Sequence, residues 1–145
     1  MTPEQNALIK SLETREEIFD YVEAHLKKQG YRSMLATPTG IPTTVCAYRG
    51  VDGAACAVGC LIADDEYNPG MENNSVMELA DLFGTTGMYR ESALPERLIP
   101  HAKMLEALQD LHDRSANWTS GKGLSHRGID HLRHLRRLWL TSDLV

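Results

Sequence analysis

Three cysteines, Cys46, Cys56 and Cys60, are the only thiols in the chain, and all lie in the stretch TTVCAYRGVDGAACAVGCLIADDEY. Thiols grouped this way support three kinds of chemistry. Cys56 follows the turn signal GVDG and stands near the start of an expected helix, where unpaired N–H groups lower a thiol pKa and produce a nucleophile. His112, or His101, is the residue type that would serve as its base. Alternatively, Cys56 and Cys60 share a helix face and a chain reversal centred on Val51 brings Cys46 across. Cys46, Cys56 and Cys60 would then hold zinc with one histidine. Thirdly, the thiols are small hydrophobic groups, since free cysteine is among the most buried residue types.

The third reading is preferred. No Trp follows Cys56, as it does in some thiol hydrolases, and the zinc set has one close pair with no histidine near it. Ala54, Ala55, Ala57, Val58 and Gly59 instead surround the thiols with small side chains. Gly59 inside a helix costs about 0.5–1 kcal/mol against alanine, which implies a backbone contact that a side chain would block. No cofactor is expected.

Asp64, Asp65, Glu66 and Tyr67 close the same stretch, at the C-terminal end of the expected helix, where its dipole disfavours acids. Their placement predicts a partner from outside, such as arginines, a cation or backbone donors, and these four are the expected binding residues. The alternating ligands and central glycine of a calcium loop are absent. His126, Asp130 and His134 fall at i, i+4 and i+8 with His131 on a neighbouring row; this set reads as polar surface rather than a metal site. The His112–Asp113 pair in LHD is weak evidence for a metal phosphohydrolase. No phosphate-cradling glycine loop or serine elbow occurs, and Trp118 and Trp139 read as core anchors.

These residues must be positioned by a mainly α chain carrying a small β-hairpin or extended arm, in a single domain spanning residues 1–145. Pro3 opens a helix to about Leu12. Thr14 and Glu17 form a capping box for a second, in which Ile18, Phe19, Val22 and Leu26 recur at helical spacing until Gly30 stops it. Residues 36–44 read as a loop, residues 43–49 as β-rich, and residues 54–67 as a helix ended by NPG. Ser75 and Glu78 cap a further helix that Gly84 stops, and GTTGMY is a loop. Pro95 and Pro100 suit first helical turns, the second leading into Met104, Leu105, Leu108 and Leu111. NWTSGKG is a flexible connection, and Ser125 caps a last helix with Ile129, Leu132, Leu135 and Trp139 as its buried stripe.

The chain has 145 residues, 42% hydrophobic and 24% charged, which fits one folded domain rather than a disordered segment. No apolar run approaches the roughly 20 residues of a membrane span, so no membrane partner is expected. MTPEQNALIK lacks the pattern of an export signal, so a cytoplasmic location with reduced thiols is expected. Net charge is −5. Residues 64–113 hold eleven acids against Arg90, Arg97 and Lys103. Residues 124–145 hold four arginines, two aspartates and three histidines. An acidic body argues against direct nucleic-acid binding, which needs a basic surface.

The strings FDYVEAHLKKQGYRSM, CAYRGVDGAACAVGCLIADDEY and LEALQDLHD, with Trp118, resemble a family of small uncharacterised phage and prophage proteins. Its members share a C-x-Y-R-G…C-A-V-G-C-L-I-x-D-D-E-Y core. The likeness covers residues 19–118, so the basic helix in residues 120–145 is expected to be an extension particular to this chain. The resemblance brings no catalytic residues. It implies a phage accessory protein that binds a host protein stoichiometrically in the host cytoplasm and disables it. A defence component with a basic, nucleic-acid-binding groove would suit the acidic surface. A homodimer is compatible with these features. The alternatives are a Cys56 thiol enzyme or ligand binder, and a zinc-stabilised interaction module.

Overall fold

A computed structural model describes residues 1–140, apart from the side chains of Pro42 and Thr44. Among the described residues there are six α-helices and two two-stranded antiparallel sheets, a mainly α architecture. The helices start where local chemistry dictates. Helix α1 (Pro3–Ser11) follows a capping box of Thr2 and Gln5, α2 (Arg15–Gln29) one of Thr14 and Glu17, and α3 (Val76–Leu82) one of Ser75 and Glu78. Each box satisfies amide donors that the first helical turn leaves without partners. Gly30 ends α2 in the left-handed conformation, at φ 78°.

The hairpin pairs β1 (Met34–Ala36) with β2 (Pro42–Cys46), so the expected loop at residues 36–44 is largely hairpin. The chain reverses again at residues 50–53, where Arg49 and Ala55 form an isolated bridge. The short α4 (Met88–Glu91) occupies part of the expected GTTGMY loop. Pro100 lies in a 3-10 turn, Glu96–His101, ahead of α5 (Ala102–Asp113). The expected flexible connection is a second small hairpin, β3 (Trp118–Thr119) with β4 (Gly123–Leu124). It leads into α6 (His126–Leu140), where the Ser125 hydroxyl accepts the Gly128 amide at 3.1 Å.

Residues 54–67 differ most from expectation. They form turns around one 3-10 turn, Gly59–Leu61, and not a helix. Ten consecutive residues, 54–63, are buried. Short-range bonds hold the turns, such as the Cys60 amide to the Cys56 carbonyl at 3.1 Å and the Leu61 amide to the Val58 carbonyl at 2.9 Å, and other backbone groups bond to side chains from elsewhere. Gln29 accepts from the Ala55 amide at 2.9 Å and donates to its carbonyl at 3.0 Å. His25 Nε2 donates to the same carbonyl at 2.8 Å, and Gln109 accepts from the Val58 amide at 3.1 Å. Arg97 donates to the Leu61 carbonyl at 2.6 Å and Arg49 to the Ile62 carbonyl at 2.8 Å. A helix would use those groups internally, so the tertiary partners replace it.

Helices α2, α3, α5 and α6 surround this segment: α5 packs on α3 and α6, and α2 on α6. The core unites Phe19, Leu26, Cys56, Leu61, Leu79 and Leu105 with Leu132 and Leu135 of α6. The basic C-terminal helix is thus built into the core, whatever its occurrence in other chains. Leu132 and Leu135 are buried as expected, while Ile129 and Trp139 are half-buried. No helix among the described residues is long and apolar enough to cross a membrane.

The close contact inferred for Gly59 is real: a Cβ there would collide with the Tyr48 carbonyl. Gly59→Ala is therefore expected to destabilise the protein by about 1–3 kcal/mol, the usual cost of overpacking. Urea unfolding measures it, with Gly84→Ala, which has room, as the control.

Candidate functional site

The three sulfurs lie in different settings. Cys56 and Cys60 are buried and Cys46 is half-buried. Cys56 Sγ accepts the Gly59 amide at 3.2 Å, and Cys60 Sγ donates to the Ala57 carbonyl at 3.2 Å. Burial pushes the Cys56 thiol up to about 12 and the Cys60 thiol well above its ordinary value. Without a helix start there is no dipole to oppose this. Nor is either expected base positioned for Cys56. His101 Nε2 bonds the Glu13 carbonyl at 3.2 Å, and both ring nitrogens of His112 are occupied.

The hairpin pairs Cys46 with Met34 and not with Cys56, placing its sulfur 3.9 Å from Met34 Sδ. Among the described residues, the one group of three potential metal-ligand side chains is Cys46, His112 and Asp113, with ligand atoms within 4.8 Å of one another. The zinc set Cys46, Cys56 and Cys60 is not brought together. Hydrogen-bond directions decide what the observed group can do. His112 Nε2 faces the Ser33 amide at 2.9 Å and must accept, so the proton sits on Nδ1 and is donated to Asp113 Oδ1 at 2.8 Å. In that arrangement the ring has no lone pair left for a cation. The Trp118 indole N–H adds a bond to the His112 carbonyl at 2.9 Å. His112 is a buried tie between the hairpin and α5.

Asp64, Asp65, Glu66 and Tyr67 do have the partners that the sequence implied, but the chain supplies them. Asp64 accepts from Asn6 at 3.1 Å and Arg49 at 2.8 Å; these bonds hold its carboxyl below the usual range. Lys10 does the same for Asp65 at 2.7 Å. Glu66 takes Arg97 at 2.5 Å and the Ala63 amide at 2.9 Å. Tyr67 donates to Glu72 at 2.7 Å, with the Arg49 guanidinium 4.9 Å from its ring centre. The cluster fastens α1 and the turn before α5 to the central segment. On α6, His126 and His134 are exposed, Asp130 pairs loosely with Arg133 at 3.8 Å, and His131 faces Asn117 at 3.2 Å.

A feature missed in the sequence lies on the other side of the hairpin. An open groove of about 710 Å³ separates residues 45–48 from residues 73–76 and α5. The exposed Glu106, Asp110 and Asp113 line its α5 wall, with Lys103 at one end. Their i, i+4, i+7 spacing opposite Met104, Leu105, Leu108 and Leu111 is a visible signal. What faces them is not, because β2 lies some sixty residues earlier. Asp113 also pushes Cys46 upward, after burial, to about 11. Comparison with protein-family models, curated proteins and solved structures finds no match.

These thiols give a pH dependence of known sign. The folded values exceed the ordinary 9.0, so stability is complete below pH 9 and falls as pH rises toward 12, because the unfolded chain loses thiol protons first. Denaturant midpoints measured across pH 8–11 are expected to decline, and less steeply in Cys56→Ala. At pH 8 iodoacetamide is expected to modify Cys46 slowly and Cys56 and Cys60 only after unfolding, as read by peptide mass mapping. Rapid labelling of Cys56 in the native protein contradicts this account.

Proposed function

We propose that the protein is a non-enzymatic, stoichiometric binder whose recognition surface is the groove between the hairpin and α5. Its partner is a protein segment rich in arginine or lysine. The observation that carries this reading is the wall of Glu106, Asp110 and Asp113 facing open space, whereas the acids at Asp64–Glu66 already have cations of their own. Glu106 has no ion-pair partner among the described residues, and Asp110 has only the exposed Arg114 at 3.0 Å. Such pairs contribute little and exchange readily for an incoming cation. The half-buried Ala107 offers apolar support for the stem of a long cationic side chain.

The likeness of the central motif to phage and prophage proteins supplies the setting. The partner we favour is a host protein, of the kind that presents a basic nucleic-acid groove, and occupation of that groove would block it. A defence component fits this description. Thiol catalysis at Cys56 has no support from the buried, high-pKa sulfur.

Affinity capture from host lysate with three forms of the protein tests the reading. Glu106→Lys with Asp110→Lys is expected to reduce recovery of wild-type partners by about tenfold or more, since like-charge contacts suppress association. Asp64→Lys with Asp65→Lys is expected to leave recovery unchanged once the fold is verified by circular dichroism. Loss of partners only in the second variant overturns the assignment of the groove.

A further inference from the structure

The geometry points to the way a basic segment binds: as an extended strand added to the outer edge of β2. This inference rests on the acidic-groove reading and specifies its mode. Ala47 donates its amide to the Ser33 carbonyl at 3.0 Å, immediately beside the Met34–Cys46 pairing. That bond makes Met34–Cys46 a non-hydrogen-bonded pair, in which the N–H and C=O of Cys46 point away from β1. Two residues on, the Tyr48 amide points to the same side. It is capped there by Glu72 Oε1 at 2.9 Å, and the Arg49 amide follows with Oε2 at 3.1 Å. The outer edge is therefore plugged by a carboxylate at residues 48–49 and open at Cys46, where the groove lies.

The occupant follows from the chemistry of the opposite wall. An incoming strand would exchange main-chain hydrogen bonds with Cys46, beyond which the register of β2 on β1 shifts so that Ala36 pairs with Pro42. Side chains on one face of that strand repeat every ~6.7 Å. The carboxylates of Glu106 and Asp110 are one helical turn apart, a rise of about 6 Å, and Asp113 is about 4.5 Å further along. Long cationic side chains at alternate positions can reach these carboxylates, while a neutral or acidic strand gains nothing from the wall. A second copy of this chain is the competing occupant, since an open strand edge is also a template for self-pairing.

The probe is a blocked octapeptide of alternating arginine and valine, with two isomers carrying N-methyl groups on all arginine or all valine amides. Isothermal titration and amide NMR of the full chain are the readouts. Strand addition expects the parent to bind, the Cys46 amide proton to become slow to exchange, and one isomer to lose about tenfold or more in affinity while the other keeps it. The donors of only one set of alternate residues face β2. Glu106→Lys with Asp110→Lys should abolish the binding. If parent and isomers bind alike, or lose affinity alike, strand addition is wrong while the acidic groove stands. If a glutamate–valine octapeptide binds as well as the parent, if the parent does not bind at millimolar concentration, or if the free chain is a dimer paired through β2, the inference is overturned. Charge-insensitive capture from lysate is the separate result that removes the groove reading itself.

Discussion

Ten buried residues outside any α-helix or hairpin impose one constraint on everything around them: the backbone groups that their own turns leave unpaired need partners from outside the segment. Gln29 meets it at Ala55 by pairing with both N–H and C=O, as a neighbouring strand would. Gln109 does so at Val58, Arg97 at Leu61 and Arg49 at Ile62. Helix α2, helix α5 and the turn before α5 are thereby held in fixed relation to one strip of chain. Small side chains along the strip let those elements approach, and at Gly59 the Tyr48 carbonyl takes the place of a Cβ. Cys56 and Cys60 belong to this packing: their sulfurs fill space and bond to a nearby amide and carbonyl.

The same constraint explains the two populations of acids. Arg49 and Arg97 enter the core to reach carbonyls, and a guanidinium so placed needs a counter-charge. Asp64 meets Arg49 and Glu66 meets Arg97 where the strip emerges at the surface. These carboxylates are thus spoken for by the fold. Those on α5 are held less firmly: Asp113 accepts from His112 and Gln109, Asp110 meets only the exposed Arg114, and Glu106 has no ion-pair partner among the described residues. Function is more readily found on the second set, where charge is unbalanced and space is open.

His112 joins the two halves of the site. Its ring accepts from the backbone amide of Ser33, just before β1, and donates to Asp113, so the start of the hairpin and the end of α5 are locked together. That lock sets how far β2 stands from the acidic wall. It also commits both nitrogens, which is why a cluster with the composition of a metal site serves here as a strut.

Local chemistry alone determined the helix starts. Thr14 with Glu17 and Ser75 with Glu78 act over three residues, and the left-handed Gly30 acts at a single position, so these signals survive any tertiary setting. The apolar stripes of α2, α5 and α6 likewise announced which faces would be buried, and the run of small residues announced a crowded centre. Tertiary structure decided the rest. Residues 54–67 have helical composition, but Gln29, Gln109, Arg49 and Arg97 take their backbone groups from 13 to 51 positions away in sequence. The partners of the DDEY acids, the neighbour of Cys46 and the occluded nitrogens of His112 depend on contacts of the same kind. Only the folded chain sets β2 against the acidic face of α5, because no local pattern encodes the distance between residues some sixty apart.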